Sequence, residues 1–303
     1  MPGPGLAHPR PRRGKRSQRG LLAAFALQAL LLFLFFQLAP ILSVFYLSLT
    51  SYRGILSKPK WAGLDNFARL LEEPDFFQAL KVSAIQVVVL LPAIMILSFM
   101  LGYYLTMLKR GAGVLRVILF VPSLISLAGK AMLYMAFLAP NGIINGALTN
   151  LGLRQWALPW FADERTALPI LLAIAIWNTV AFQAVLFNAR LSGIEKEVMS
   201  AAEVDGAGYW SRMWRIALPI SWNYFGVLAM LQYLGILFGS AAEILLLTGG
   251  GPNGSTTSLS YLLYVEAFSR RNIGYSQAVG VVLFAVSVVG VVIIRSVFRS
   301  KVD

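Results

Sequence analysis

Cysteine and histidine, two side chains that enzymes often use as nucleophile and base, are nearly absent from this sequence. It contains no cysteine and a single histidine, His8, which lies in a polar segment near the N-terminus. Thiolate metal sites and histidine-based catalytic dyads or triads are therefore excluded. We predict no catalytic residue and no metal site.

Two charged side chains interrupt the apolar runs, Lys130 and Glu243. Charges inside membrane-spanning segments are costly and usually face a cavity or each other. Both residues could therefore line a path for a polar solute, alone or as an ion pair. For Lys130 the alternative is that its long side chain reaches the membrane interface.

Aromatic and amide side chains recur in one apolar run, "IWNTVAFQAVLFN" (Ile176–Asn188). Aromatic stacking combined with amide hydrogen bonds is a common way to hold a sugar, although buried amides between helices equally serve as structural contacts. A later run offers an amide and a phenol. The candidate residues are Trp177, Asn178, Phe182, Gln183, Gln232 and Tyr233.

The elements that carry these residues have the composition of a membrane protein. Of the 303 residues, 58% are hydrophobic and only 13% are charged, about half the charged share of a soluble domain. The net charge of +13 comes from cations clustered at the ends of apolar runs, which fits membrane topology better than nucleic-acid binding.

Six apolar windows are long enough to span a bilayer as helices. We predict an all-α integral membrane protein with one membrane domain, residues 21–303, after a disordered basic tail, Met1–Gly20. The windows are Leu21–Leu47, Val82–Leu108, Leu115–Leu138, Ala167–Asn188, Ile216–Leu247 and Ser276–Val297.

The distribution of Lys and Arg predicts the orientation. These residues concentrate in the tail, in Leu108–Arg116, in Ala189–Arg215 and at the C-terminal end. Cytoplasmic segments carry such an excess, so we predict that both termini are cytoplasmic. The longest cytoplasmic loop is then residues 190–215, and a short surface helix capped by Asp65 is expected on the outer side.

That cytoplasmic loop has the pattern of two short helices at an angle. Ser192 and Glu195 have the spacing of a capping box, which predicts a helix over Ser192–Val204. Gly206 permits a sharp turn, and Asp205 is expected to cap the helix that follows. The next spanning helix is expected to begin at Pro219. A plain connecting loop and a docking surface for another protein both fit this pattern.

The run "AAEVDGAGYWSRMWRIALP" (Ala201–Pro219) resembles the EAA motif of permease subunits in binding-protein-dependent ABC importers. The leading Glu of the motif falls on Ser200, and Glu197 or Glu203 could supply that charge. Other segments resemble the carbohydrate branch of the family, with maltose-type and glycerol-3-phosphate-type permeases. They are "WAGLDNFARLL", "APNGIINGAL", "LPWFADERTALP" and "TGGGPNGST".

This resemblance implies a type I importer fold in a prokaryotic inner membrane and a sugar, oligosaccharide or sugar-like cargo. It also implies partners: a second homologous permease, two ATPases that bind ATP and Mg, and an extracytoplasmic substrate-binding protein. The loop would be the coupling helix that docks on an ATPase, through Glu197, Ala201, Ala202, Glu203, Asp205, Gly206 and Ala207. The substrate path would be lined by Lys130, Trp177, Asn178, Phe182, Gln183, Gln232, Tyr233 and Glu243.

The chain itself is not expected to be an enzyme. The glycine-rich "TGGGPNG" lacks the Gly-Lys-Ser/Thr ending of a phosphate loop, so ATP hydrolysis is assigned to the partners. An ion-coupled secondary transporter is the alternative, but it calls for ionisable groups near the bilayer midplane and often for inverted repeats, and neither is clear. A membrane-embedded enzyme would need clustered reactive side chains within the spans.

Overall fold

The computed structural model describes residues 15–54, 57–107 and 111–299, and this part of the chain is almost entirely helical. It holds no β-strand, only an isolated antiparallel bridge between Thr50 and Trp61. The α-helices are α1 (Lys15–Phe33), α2 (Ala39–Ser48), α3 (Asp65–Glu72), α4 (Pro74–Met107), α5 (Ala112–Leu124), α6 (Leu127–Leu138), α7 (Ile143–Asn150), α8 (Glu164–Leu191), α9 (Lys196–Val204), α10 (Tyr209–Arg212), α11 (Leu218–Ile220), α12 (Trp222–Leu247), α13 (Leu259–Tyr264) and α14 (Ile273–Phe298).

Six segments of the described chain are long and apolar enough to cross a membrane, which confirms the predicted all-helical, six-span architecture. The longest, α4, has 34 residues and is about 51 Å long at 1.5 Å per residue. The six segments are Leu21–Ser48, Pro74–Met107, Leu127–Asn150, Glu164–Leu191, Trp222–Leu247 and Ile273–Phe298.

The third apolar region differs from its prediction, because Leu115–Leu138 is not one helix. It is divided between α5 and α6, and Ser126 caps α6 by accepting a hydrogen bond from the Gly129 amide (3.2 Å). A Ser side chain that satisfies a backbone donor locally stabilises a helix start, so this residue sets the break. The chain then bends between α6 and α7, where the amide of Gly142 donates to Ala139 (2.8 Å).

The first helix begins earlier than expected. We assigned residues 15–20 to the disordered tail, but α1 begins at Lys15. Lys, Arg and Gln are good helix formers, so this segment extends the apolar helix that follows it. Residues 1–14 lie outside the described part. The apolar side chains of α1 are exposed in the isolated chain, as expected for a helix that faces lipid or another protein.

The outer surface helix exists as α3, but Asp65 does not cap it. Leu64 occupies the N-cap position without a side-chain hydrogen bond, and Asp65 is the first helical residue. A carboxylate in the first turn still interacts favourably with the helix dipole. A buried leucine, Leu70, anchors α3 in a cluster formed with α4, α12, α13 and α14.

The core of the molecule is the packing of α4 against α8. At Gly102 the two backbones come so close that an added Cβ would lie 2.7 Å from the Cβ of Phe187. Hydrogen bonds run across the same contact, from Ser98 to the carbonyl of Val180 (3.2 Å) and from Asn188 to Thr106 (2.9 Å). Small and hydrogen-bonding residues at a helix contact are typical of membrane bundles. Here they fix α8, which carries four of the eight predicted path residues, against α4.

The helix α12 packs against α4 and α14. Gly290 of α14 lies under the ring of Tyr233, where an added Cβ would lie 2.2 Å from the phenol oxygen. The hydroxyl of Tyr233 donates to the carbonyl of Val286 (2.8 Å). These contacts fix the rotation of α12 about its axis. Tyr233 faces α14, and another side of α12 is left to face α6 and α8.

Candidate functional site

The loop between α8 and α12 forms a compact, bent element. The helix α9 ends in a hydrogen-bond pattern in which the amide of Gly206 donates to Glu203 (3.1 Å) and that of Ala207 to Ala202 (2.9 Å). Gly206 has φ +78°. This is the Schellman motif, which needs a left-handed residue that Gly adopts without strain. The turn between α9 and α10 is therefore set by its backbone.

The capping predictions for this loop were wrong. Ser192 closes the end of α8, where its amide donates to Asn188 (2.9 Å). Glu195 is the N-cap residue of α9 but makes no side-chain cap bond. Asp205 is the C-cap of α9, and Gly208 precedes α10 instead. Because α8 continues to Leu191, Ser192 is already used at the end of that helix.

The start of the following span also differs from its prediction. Pro219 lies in the short helix α11, and α12 begins at Trp222. Between them the amide of Ser221 is shared by the carbonyls of Ala217 and Leu218, at 3.1 and 3.0 Å. Such shared bonds are common where a helical turn ends, so the break lies two residues after the proline.

One face of the loop is anchored in the helix bundle. Met213 is fully buried in a cluster with Phe99, Tyr103 and Phe187 of α4 and α8. The ring of Tyr209 packs edge-on against Tyr103, with 5.1 Å between centroids. Burial, and then the neighbouring Tyr103 and Tyr104, raise the pKa of Tyr209, which therefore stays neutral at physiological pH. The loop is thus joined to α4 and α8 by packed side chains.

An ion pair links the two short helices α9 and α10. The guanidinium of Arg212 in α10 lies 3.0 Å from the carboxylate of Glu203 in α9. The arginine side chain is mostly covered, and the glutamate side chain is mostly exposed. An exposed pair contributes at most about 1 kcal/mol. The backbone turn and the buried Met213 therefore contribute more to the shape of this element.

The opposite face of the loop is exposed. Five of the seven predicted coupling residues lie on it, whereas Ala202 is buried and Ala207 is half-buried. The exposed five are Glu197, Ala201, Glu203, Asp205 and Gly206. Two apolar side chains that the prediction did not include accompany them, Val204 and Trp210, which are 87% and 58% exposed. An exposed tryptophan favours a protein interaction surface, because aromatic side chains are enriched at interfaces.

A cavity of about 280 Å³ lies between α4, α6, α8 and α12. Four of the eight predicted path residues line it: Lys130, Asn178, Gln232 and Glu243. Three polar lining residues were missed, namely Gln86, Thr179 and Ser240. Of these, Gln86 had a usable signal, since it is a single amide within the apolar run "AIQVVVLL".

Hydrogen bonds organise the polar wall of the cavity. The hydroxyl of Tyr134 donates to Oδ1 of Asn178 (2.6 Å), and the amide nitrogen of Asn178 donates to Oε1 of Glu243 (3.3 Å). Gln183 lies behind the wall and donates to Oε1 of Gln232 (3.0 Å). Gln183 thus orients a lining residue without lining the cavity itself.

The two intramembrane charges face the same cavity but do not form a salt bridge. Among the described residues the salt bridges lie elsewhere, and the Lys130 ammonium has neither an ion-pair nor a hydrogen-bond partner. Of the two arrangements that the sequence left open for these charges, the structure shows a shared cavity without direct pairing.

Three predicted path residues lie away from the cavity. Trp177 is 71% exposed and borders a separate apolar groove against α4 and α5. Phe182 packs its ring near Phe120, 6.1 Å between centroids. Tyr233 is buried against α14. Because successive residues of a helix differ by about 100° in direction, neighbours of cavity residues point to other surfaces.

Known proteins are similar to this chain in sequence and in fold. Residues 99–302 match the family described as binding-protein-dependent transport system inner membrane component. The chain is 30% identical over 303 residues to the diacetylchitobiose uptake system permease protein NgcF of Streptomyces coelicolor, covering 95% of this chain and 85% of the relative.

Two solved structures match along nearly the whole chain. One is a bacterial ABC transporter involved in the import of the acidic polysaccharide alginate, with a TM-score of 0.84, 23% identity and coverage of 95% and 98% of the two chains. The other is a bacterial alginate ABC transporter in complex with an alginate pentasaccharide-bound periplasmic protein, with a TM-score of 0.79, 24% identity and coverage of 93% and 95%. The predicted importer permease fold is confirmed.

Proposed function

The chain belongs to the family of binding-protein-dependent transport system inner membrane components, and we propose that it carries a sugar or oligosaccharide across the membrane with energy from ATP hydrolysed by partner subunits. It is a multi-pass inner-membrane transport subunit. Its cavity supplies the route, and its loop surface receives the movement that opens and closes that route.

The observation that carries this proposal is that the α9–α10 loop has one exposed face and one face packed on the helix bundle. The exposed face bears Asp205, Gly206 and Val204. The other face is attached to the bundle through Met213 and Tyr209. A rigid element of this kind transmits a displacement on one side of the membrane to α4 and α8. The partner on the exposed face is proposed to be an ATPase subunit that binds ATP and Mg.

Two independent observations support a saccharide as the proposed cargo. The cavity wall consists of amides, hydroxyls and two opposite charges, which suits a solute with many hydroxyl groups. The relative from Streptomyces is named for the uptake of diacetylchitobiose, and the transporter with the same fold is described as importing alginate. A saccharide is therefore the cargo class that fits both.

The complete assembly is proposed to contain this chain, a second homologous permease, two ATPases and an extracytoplasmic binding protein. The family description specifies dependence on a binding protein. Because the first span has no buried residues in its most apolar window, it is available to pack on a second permease or lipid. In this arrangement both termini and the α9–α10 loop are cytoplasmic.

Purification of the tagged chain from its native membrane tests the proposal. An ATPase and a second permease should co-purify with it and hydrolyse ATP, and a double variant, Asp205→Ala with Gly206→Asp, should lose the ATPase while retaining the second permease. A chain that purifies alone, with uptake abolished by an ionophore but not by ATP depletion, would favour an ion-coupled transporter and refute the proposal.

A further inference from the structure

The cavity wall contains one positive and one negative group that do not pair with each other. The Lys130 ammonium has no partner within the described chain, and the Glu243 carboxylate accepts a hydrogen bond from Asn178 alone. Both residues are half-buried at the cavity wall. Charged side chains within membrane-spanning helices are costly and usually mark a functional site, so a ligand group that completes this site would account for their presence.

The position of Glu243 is maintained by a defined contact. Because Tyr134 donates to the oxygen of Asn178, the amide nitrogen of Asn178 is directed at Oε1 of Glu243. The second carboxylate oxygen has no hydrogen-bond partner among the described residues. A carboxyl oxygen is therefore available as an acceptor inside the cavity, oriented by its neighbours.

The remaining polar groups of the wall include both donors and acceptors. Gln183 occupies the amide oxygen of Gln232, which leaves the amide nitrogen of Gln232 unused by any described residue. Gln86 is buried at the cavity wall without a hydrogen bond to a described residue, so both ends of its amide are available. The wall thus presents donors from Lys130, Gln86 and Gln232 and acceptors from Gln86 and Glu243.

A pair of neighbouring sugar hydroxyls complements this set. Each hydroxyl both donates and accepts, so one can donate to Glu243 while the other accepts from Lys130, and both bonds are the stronger charge-assisted kind. A uronate or a phosphate would pair with Lys130 but would bring a second anion towards Glu243. The charges of this wall sum to zero, so it offers an anion no net attraction.

On the basis of the proposed function, we propose that the cavity selects an uncharged saccharide held by hydroxyls between Lys130 and Glu243, and discriminates against acidic sugars and polyol phosphates. Lys130 and Glu243 are then the residues that determine cargo charge, and Asn178 is a positioning residue for Glu243. The cavity volume of about 280 Å³ lies at the small end of ligand pockets, so a few sugar hydroxyls at a time are recognised.

The test uses the purified transporter with its co-purifying partners in lipid nanodiscs, without a binding protein. Saturation-transfer difference NMR measures binding of cellobiose, xylobiose, galactobiose and diacetylchitobiose, and of digalacturonate and glycerol 3-phosphate. The variants are Lys130→Met and Glu243→Gln. Lys81→Met and Glu72→Gln are matched controls, because these two side chains are exposed and lie outside the cavity.

We expect at least one neutral probe to bind, and to bind at least about tenfold less in Lys130→Met and in Glu243→Gln, the loss typical of removing a hydrogen bond to a charged group. In Glu243→Gln, binding of digalacturonate should rise relative to galactobiose, because the wall then has a net positive charge. The two surface controls should bind like the wild type.

Three results would overturn the inference: stronger binding of an acidic probe than of every neutral one, neutral binding unchanged in both cavity variants, or no binding of any neutral probe. ATP hydrolysis is measured in the same sample. If hydrolysis is present in these cases, only the cargo assignment fails. If no ATPase co-purifies, the proposed function fails instead.

Discussion

Replacing Gly206 by aspartate should leave folding of the chain intact and disrupt its coupling to a partner. The backbone of Gly206 is left-handed, at φ +78°, and a Cβ built there meets no atom within 4 Å. The intrinsic cost is therefore backbone strain alone, about 1 kcal/mol for most residues and less for Asp or Asn. Since folded domains are typically stable by about 5–15 kcal/mol, the Gly206→Asp chain should insert and fold.

The same substitution should disable a docked partner. The new carboxylate would be placed in the contact without a counter-ion, and a buried, unpaired charge costs about 3 kcal/mol or more. This weakens the contact by roughly a hundredfold. We expect wild-type amounts of folded protein, loss of uptake, and ATP hydrolysis that no longer depends on cargo. The assay is uptake and hydrolysis in proteoliposomes in which the permease subunits are reconstituted with an excess of the ATPase, so that the weakened contact is still occupied.

Gly152 provides a matched control at another loop. It has φ +77°, no atom within 4 Å of an added Cβ, and the same hydrogen-bond pattern after α7, with Leu153 donating to Leu148 (2.8 Å). Gly152→Asp should therefore carry the same strain and retain coupling. Wild-type uptake by Gly206→Asp, or equal loss in Gly152→Asp, would refute the assignment of this surface to a partner.

Further predictions concern residues that the structure assigns to packing. Gly290→Ala should lower the free energy of unfolding in detergent by about 1–3 kcal/mol through overpacking, because its Cβ would overlap the Tyr233 ring. Tyr233→Leu in the same chain should restore part of that free energy. An additive effect of the two changes would contradict this contact. Trp177→Leu should leave uptake within about twofold of the wild type, because the side chain lies outside the cavity, and a large loss of uptake would return it to the substrate path. A double-mutant cycle on Glu203 and Arg212, read by unfolding, should give a coupling energy below about 1 kcal/mol, and a larger value would mean that this ion pair, more than the turn, holds the loop.

The sequence was sufficient for the membrane architecture. Apolar windows of spanning length define the six-span plan whatever their neighbours are, because the bilayer imposes the length and the internal hydrogen bonding of each helix. The loop motif also identified the family, and Gly206 was correctly predicted to form the turn, since only a residue without Cβ adopts its conformation freely.

Helix ends were predicted less well. Ser192 and Glu195 have the spacing of a capping box, but the preceding helix α8 extends to Leu191 and uses Ser192 at its own end. Capping patterns describe a local preference, and packing of α8 against α4 determines how far that helix continues. The break at Ser126 in the third apolar region was missed for a similar reason, because apolar composition persists through it.

Which polar residues meet was decided by tertiary structure alone. The sequence determined that Lys130, Asn178, Gln232 and Glu243 lie in apolar helices, where they require a partner or a cavity. It did not determine the rotation of those helices. Close packing of Gly290 under Tyr233 turns α12 so that Gln232 and Glu243 face α8 and α6. A rotation by one residue, about 100°, would have exchanged the cavity wall for the surface that now packs against its neighbours.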